Sequence, residues 1–213
     1  MNDRRSFLQG AAVLAAAAAL PTTLWAAEER YVTLSQPVSP ENDEGKIEVL
    51  EFFHYGCPHC RSFHPLIETW KKSLPDDVLF RAVPAIWNNP SLLGLARLHY
   101  ALERSGELNV QVEREIFAAV QEDKRDIFDA ENARAWLATV NGVDVDAVME
   151  TYDSFAIQGL LKRADQLART YRVQGVPTMA VGGRYTTSAS LAGGHEATLE
   201  VVDSLIERIR NEG

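Results

Sequence analysis

Two cysteines, Cys57 and Cys60, are the only ones in a chain of 213 residues. They stand three apart between the apolar run Ile47–Tyr55 and a helix-patterned stretch that reaches about Leu74. A near-continuous apolar run reads as a strand buried on both faces. The pair therefore leaves a central strand and enters the first turn of a helix. There the unpaired N–H groups and the positive end of the helix dipole favour thiolate over thiol. Pro58 suits the first helical position, where its missing N–H costs nothing. His59 can carry positive charge beside the sulfur. A disulfide between residues three apart closes almost no loop, so a purely stabilising role explains the pair poorly. Redox chemistry explains it better.

Zinc is the sharper rival, because His54, His59 and His64 lie within a few residues of the cysteines. A closed structural zinc site needs a second group of ligands at a distance, and the sequence has no second Cys-x-x-Cys and no distant His-x-His pairing of suitable spacing. No metal site is expected. A Cys/His metal-binding protein stays as the alternative from a different class.

Residues 1–26 read as a secretory signal. Arg4 and Arg5 precede an alanine-rich apolar run, Ala11–Leu20, then Pro21 and a cut near Ala26 or Ala27. The run is too short to span a membrane. Asp3-Arg4-Arg5-Ser6-Phe7-Leu8 resembles the twin-arginine export signal, although paired arginines also occur in ordinary signals. The formal net charge is −9, and losing the signal removes two arginines and one aspartate, so the mature chain is more acidic still. No Lys/Arg-rich stripe with interleaved aromatics appears, which argues against a nucleic-acid partner. Export also leads to an oxidising compartment, where a two-cysteine motif can turn over as a disulfide.

Past the signal, Tyr31–Leu34 reads as a short edge strand, followed by a turn-rich spacer with Pro37, Pro40 and Gly45. After the strand Ile47–Tyr55, the helix carries Phe63, Leu66, Ile67, Trp70 and Leu74 on one face, with a kink expected at Pro65. Val78–Ile86 is the next strand, parallel to the first, which makes a βαβ unit. From about Asn88 to Ala164 the pattern is helical, with signals at Ser91, Asn109, Asp129, Asn141-Gly142, Asp144 and Ser154. A helix over Phe155–Tyr171 returns the chain to the sheet. Thr178–Val181, Gly182-Gly183 and Arg184–Thr187 form a hairpin, and Leu199, Val202, Ile206 and Ile209 mark a last amphipathic helix.

Cys57-Pro58-His59-Cys60 after Leu50-Glu51-Phe52-Phe53, with Val176-Pro177 before the hairpin, resembles the DsbA family of exported thiol:disulfide interchange proteins. The resemblance covers nearly all of the mature chain. It implies an α/β thioredoxin-like fold with an inserted all-helical domain: residues 28–87 and 165–213 for the former, 88–164 for the latter. It also implies a soluble periplasmic protein-disulfide oxidoreductase of the dithiol oxidase type, with no cofactor beyond the Cys57–Cys60 disulfide. Its partners would be unfolded exported proteins with free thiols and a quinone-linked membrane oxidase of the DsbB type, and the protein would be a monomer. Cys57 would be the exposed nucleophile, Cys60 the more buried resolving thiol, and His59 the group that stabilises the Cys57 thiolate. Pro177 resembles the cis-proline that faces the sulfurs, with Val176 offering its backbone to a substrate strand.

Glu51 lies within the buried strand, where a carboxylate is costly unless paired or protonated. A salt bridge to Arg81 or to the Lys71-Lys72 pair is one reading. The resemblance implies the other, a proton acceptor for Cys60. The sequence departs from the family here, since no lysine occurs in Val78–Ile86. A disulfide isomerase or reductase on the same fold is the alternative within the class.

Overall fold

The structure is a computed structural model that describes residues 30–40 and 45–212. The signal and its expected cut near Ala26 or Ala27 lie outside the described residues. Strand β2 (Ile47–Phe53) is buried along almost its whole length, as its unbroken apolar character requires. It pairs in parallel with β3 (Val78–Pro84), and helix α1 (Pro58–Trp70) connects them. On its other side β2 meets β4 (Thr178–Val181) antiparallel. The sheet continues through β5 (Tyr185–Thr187) to the two-residue edge strand β1 (Val32–Thr33), giving the order β1-β5-β4-β2-β3.

Alternation along β2 divides the sheet's faces. Val49 packs with Phe63 and Ile67 of α1 and with Val202, Leu205 and Ile206 of the last helix, which spans His195–Glu212. Leu50 and Phe52 face the opposite way, towards Ile157, Leu161, Ala164 and Leu167 of the helix Phe155–Thr170. Between β3 and β4 the chain inserts α2 (Pro90–Ser105), α3 (Val110–Gln121), α4 (Ala130–Leu137) and α5 (Val145–Tyr152), followed by that sheet-covering helix, α6. The insertion has its own core around Leu98, Leu102, Ile116, Phe117, Trp136 and Leu137. Phe53, Tyr55, Cys57 and Cys60 belong to the same cluster, so the sulfurs sit where the insertion meets the sheet.

Helix starts follow side chains that satisfy orphan N–H groups. Asn109, Asp129, Asp144 and Ser154 each accept from backbone N–H groups of the first turn, at 2.9 to 3.3 Å. The start expected at Ser91 instead belongs to Asn89, whose Oδ1 accepts from Ser91 and Leu92 N–H while Pro90 takes the first helical position. Helix α1 runs unbroken through Pro65. The expected boundary between residues 164 and 165 falls inside α6, which is continuous and lies on the sheet from Ile157 onward. A short helix, α7 (Ala189–Ala192), precedes the last helix, α8; a single turn has too little periodicity to be read from sequence.

Gly183, at φ 67°, shows why the hairpin turn is glycine. A Cβ there would stand 1.8 Å from the Val38 carbonyl oxygen, and its own carbonyl accepts from Val38 N–H at 2.8 Å. Gly94 in α2 meets the Phe128 backbone as closely, with a Cβ placed 1.8 Å from that carbonyl oxygen. Gly94→Ala is expected to lower the unfolding free energy by about 1–3 kcal/mol, read from the urea midpoint, because backbone rather than a pliable side chain must move. A variant as stable as the parent would mean that α2 and the Phe128 segment separate freely.

Candidate active site

Strand β2 ends at Phe53, and the turn His54–Gly56 delivers Cys57 as the N-cap of α1 (φ −90°, ψ 117°). Cys57 N–H donates to the His54 carbonyl at 3.0 Å, which closes the turn. The Cys57 sulfur accepts from Cys60 N–H at 3.4 Å, and as a thiol it donates to the Val176 carbonyl at 3.4 Å. Both cysteines are free thiols. The sequence reading expected an exposed Cys57. Only 7% of its surface is accessible, against 1% for Cys60, so the order of burial holds while Cys57 itself is largely covered.

The two thiols are driven in opposite directions. The Cys57 pKa is lowered to about 6, first by the hydrogen bond from the Cys60 side chain and then by backbone N–H groups of Cys60 and His59, with the His59 charge a smaller contribution. Burial works against this and loses. Cys60 is pushed far up, mainly by burial, then by its hydrogen bond to Cys57 and by the nearby Glu51. His59 therefore acts on the thiolate more through its backbone position at the helix start than through its ring. The ring sits at the rim, 6.2 Å from that of His195, a groove residue that no local pattern singled out.

The Val176–Pro177 peptide is cis, as the resemblance implied, and lies across from Cys57. Together with His59, Ser188 and His195, these residues line a groove of about 520 Å³ beside the sulfur. Much of the lining comes from the segments Tyr171–Thr178 and Thr186–Leu191, so main chain as well as side chain faces the groove.

Glu51 is 7% exposed and lies opposite Ala82 and Met179 in the sheet register. Burial raises its pKa well above the carboxylate range, and Glu113 and Glu68 add to the rise while Lys71 opposes it. The expected partner Arg81 is taken elsewhere: it bonds Glu48 at 2.7 Å, from the opposite face of β2. Lys71 bonds Glu68 at 2.6 Å and so reaches Glu51 only through its field. His54 packs against Trp87 with centroids 5.8 Å apart, and burial lowers its pKa. His64 is turned away from the sulfurs, towards α3, so the histidines clustered in sequence do not converge on the cysteines in space.

Gln121, at the end of α3, is the residue that sequence reasoning missed. Its amide donates to the Tyr55 carbonyl at 2.7 Å and to the Cys57 carbonyl at 3.0 Å. The Tyr55 hydroxyl in turn pairs with His99 Nδ1 of α2 at 2.9 Å, and burial lowers the His99 pKa to about 3, which keeps the ring neutral. Contacts spanning more than forty residues leave no local pattern to read.

A family model described as a DSBA-like thioredoxin domain matches residues 77–197, and one described as a TAT (twin-arginine translocation) pathway signal sequence matches residues 1–21. The chain is 40% identical over 205 residues to the thiol:disulfide interchange protein DsbA of Bordetella parapertussis, covering 93% of this chain and 96% of that one. It is 42% identical over 190 residues to the protein of the same name from Pseudomonas aeruginosa, covering 87% and 86%. The crystal structure of Pseudomonas aeruginosa DsbA superimposes with a TM-score of 0.82 at 40% identity, over 86% of this chain and 94% of that one. The oxidoreductase DsbA from Xylella fastidiosa gives 0.75 at 28% identity, over 85% and 96%.

Titrating the thiolate absorbance of the reduced protein is expected to give a midpoint near 6 for Cys57. Cys60→Ala should raise that midpoint further than His59→Leu does; the reverse order would make the imidazole the dominant influence. The folded value lies below the ordinary thiol value of 9.0, so the stabilisation of the reduced form is present above that value and lost as pH falls through about 6. Cys57→Ser should abolish this slope in denaturant melts. Gln121→Leu takes the donor from the Tyr55 carbonyl, while the Cys57 carbonyl keeps Arg61 N–H, and is expected to cost about 1–3 kcal/mol in the oxidised protein.

Proposed function

The chain belongs to the DsbA family of thiol:disulfide interchange proteins, and on that premise we propose how its residues divide the work of a protein-disulfide oxidoreductase. It is a dithiol oxidase with the thioredoxin-like fold and helical insertion of that family. Its first residues match a twin-arginine signal, which directs it to the periplasm. Among the described residues no helix is long and apolar enough to cross a membrane.

In the oxidised protein a client thiolate attacks the Cys57 sulfur. The bond to Cys60 breaks, Cys60 leaves as thiolate, and a mixed disulfide joins Cys57 to the client. Cys60 then takes a proton, for which its strongly raised pKa is the driving force, and the buried carboxyl of Glu51 is the group placed to hold and pass it. A second client thiolate attacks the client sulfur of the mixed disulfide, and Cys57 departs as the stabilised thiolate. The client has lost two electrons and gained a disulfide, and the protein holds two thiols. Stabilising the leaving Cys57 makes the oxidised form the stronger oxidant. The observation that carries this reading is the opposed pull on the two sulfurs.

Pro58 serves as the first residue of α1, His59 supplies a backbone N–H and an imidazole at the rim, and Val176 with Pro177 forms the edge where a client segment lies. The thioredoxin-like part comprises residues 28–87 and the chain from α6 onward, with the intervening helices as the insert. No cofactor beyond the disulfide is needed. Reoxidation falls to a quinone-linked membrane oxidase of the DsbB type, and the protein acts as a monomer.

Oxidation of a reduced, unfolded substrate should proceed with the mature protein and stop with Cys57→Ser. Cys60→Ala, given a client that already carries a disulfide, should accumulate a Cys57 mixed disulfide on non-reducing gels, because the resolving thiol is gone. Exchange activity retained by Cys57→Ser would overturn the assignment of roles.

A further inference from the structure

Behind the active site, between α1 and α3, three ligand-type side chains converge. His64 and Glu68 stand four apart on one face of α1, and Glu113 comes from the first turn of α3. One ligand atom from each lies within 4.8 Å of the others. His64 Nε2 is 3.9 Å from Glu113 Oε2, with only 10% and 12% of the two side chains exposed.

The decisive feature is the His64 ring. Nε2 is buried and has no hydrogen-bond partner. A buried imidazole nitrogen without a partner can offer its lone pair to a metal. At 3.9 Å the Glu113 oxygen is too far to hydrogen-bond to that nitrogen. Glu68 and Glu113 also oppose each other: burial and then the charge of Glu68 push the Glu113 pKa to about 7. Two half-buried carboxylates, one of them already paired with Lys71, and an unpartnered imidazole nitrogen form an arrangement that a divalent cation would complete.

We propose that His64, Glu68 and Glu113 form a binding site for a divalent cation, Zn²⁺ by ligand type, that ties α1 to α3 of the helical insertion. One nitrogen and two carboxylate oxygens with a fourth position left for water match zinc's preferences. Tetrahedral zinc, with ligands at about 2.0–2.2 Å, sets them about 3.3 Å apart, so the three side chains close in by small rotations. Glu68 keeps one oxygen for Lys71 and offers the other. A surface cleft of about 420 Å³ between the two helices, lined by Arg61, His64, Gln111, Arg114, Glu115 and Phe117, reaches His64 from solvent. The bound cation would cancel two of the like charges that bear on Glu51, and it would pin the helix that carries both sulfurs to the helix that carries Gln121.

The test uses tag-free, oxidised protein, in which the Cys57–Cys60 disulfide offers no thiolate to zinc. Equilibrium dialysis against Zn²⁺ followed by elemental analysis should find about one ion per chain. The melting temperature should rise with free Zn²⁺ concentration. His64→Gln and Glu113→Gln should each lose stoichiometric binding, whereas Glu122→Gln, outside the cluster, should keep it. Should either variant fail to fold, Co²⁺ added to the unaltered protein provides the second readout, through the visible absorption of a four-coordinate ion. Oxidised protein that binds no Zn²⁺ and shows no zinc-dependent melting would overturn the proposal, as would wild-type binding by folded His64→Gln and Glu113→Gln.

Discussion

A turn clasped from outside by the helical insertion governs this molecule, because the sulfurs depend on its shape. The chain leaves β2 at Phe53 and enters α1 at Pro58, and in that gap the Cys57 carbonyl accepts from Arg61 N–H of α1 at 3.1 Å while the Tyr55 carbonyl turns to α3. One amide, Gln121, donates to both, and it comes from the far end of a helix in the insertion. Tyr55 is held a second time by His99 of α2. The helical insertion thus fixes the turn that places Cys57 at the helix start. Only with the turn fixed do the N–H groups of His59 and Cys60 face the Cys57 sulfur while Cys60 stays sealed beneath it.

That geometry produces the chemistry through asymmetry between two identical side chains. The same Cys60–Cys57 hydrogen bond lowers one pKa and raises the other, and burial widens the gap because it falls mostly on Cys60. An acidic layer lies behind the pair. Glu113 and Glu68 raise the affinity of Glu51 for protons, and Glu68 raises that of Glu113, with Lys71 opposing from the end of α1. In place of a cation from strand β3, the chain supplies charge to this layer from α1 and α3.

What the sequence made legible was local. The unbroken apolar run of β2, the Cys-Pro-His-Cys entry into α1, and the capping side chains Asn109, Asp129, Asp144 and Ser154 each act within a few residues, so spacing alone reveals them. Asn89 escaped because Pro90 shifts the start two residues ahead of Ser91. Pairings set by the tertiary fold stayed hidden. Arg81 is adjacent to both Glu48 and Glu51 across the β2–β3 ladder, and only the pleat decides that it takes Glu48. Likewise, the crowding of His54, His59 and His64 near the cysteines is a property of the string: the turn and α1 send the three rings in different directions.

The 7% exposure of Cys57 separates reactivity from reach. Near neutral pH the sulfur is largely ionised, yet it is walled by the Val176 carbonyl on one side and by the insertion's core on the other. Acidity makes it a ready leaving group, while its cover restricts which bodies can approach along the line of the sulfur–sulfur bond. On the function proposed above, an extended client segment that presents a sulfur at its crest suits that approach better than a blunt folded surface. On that function, discrimination between unfinished and finished proteins would need no recognition of sequence, since a chain that has completed its own folding would no longer have the shape that fits.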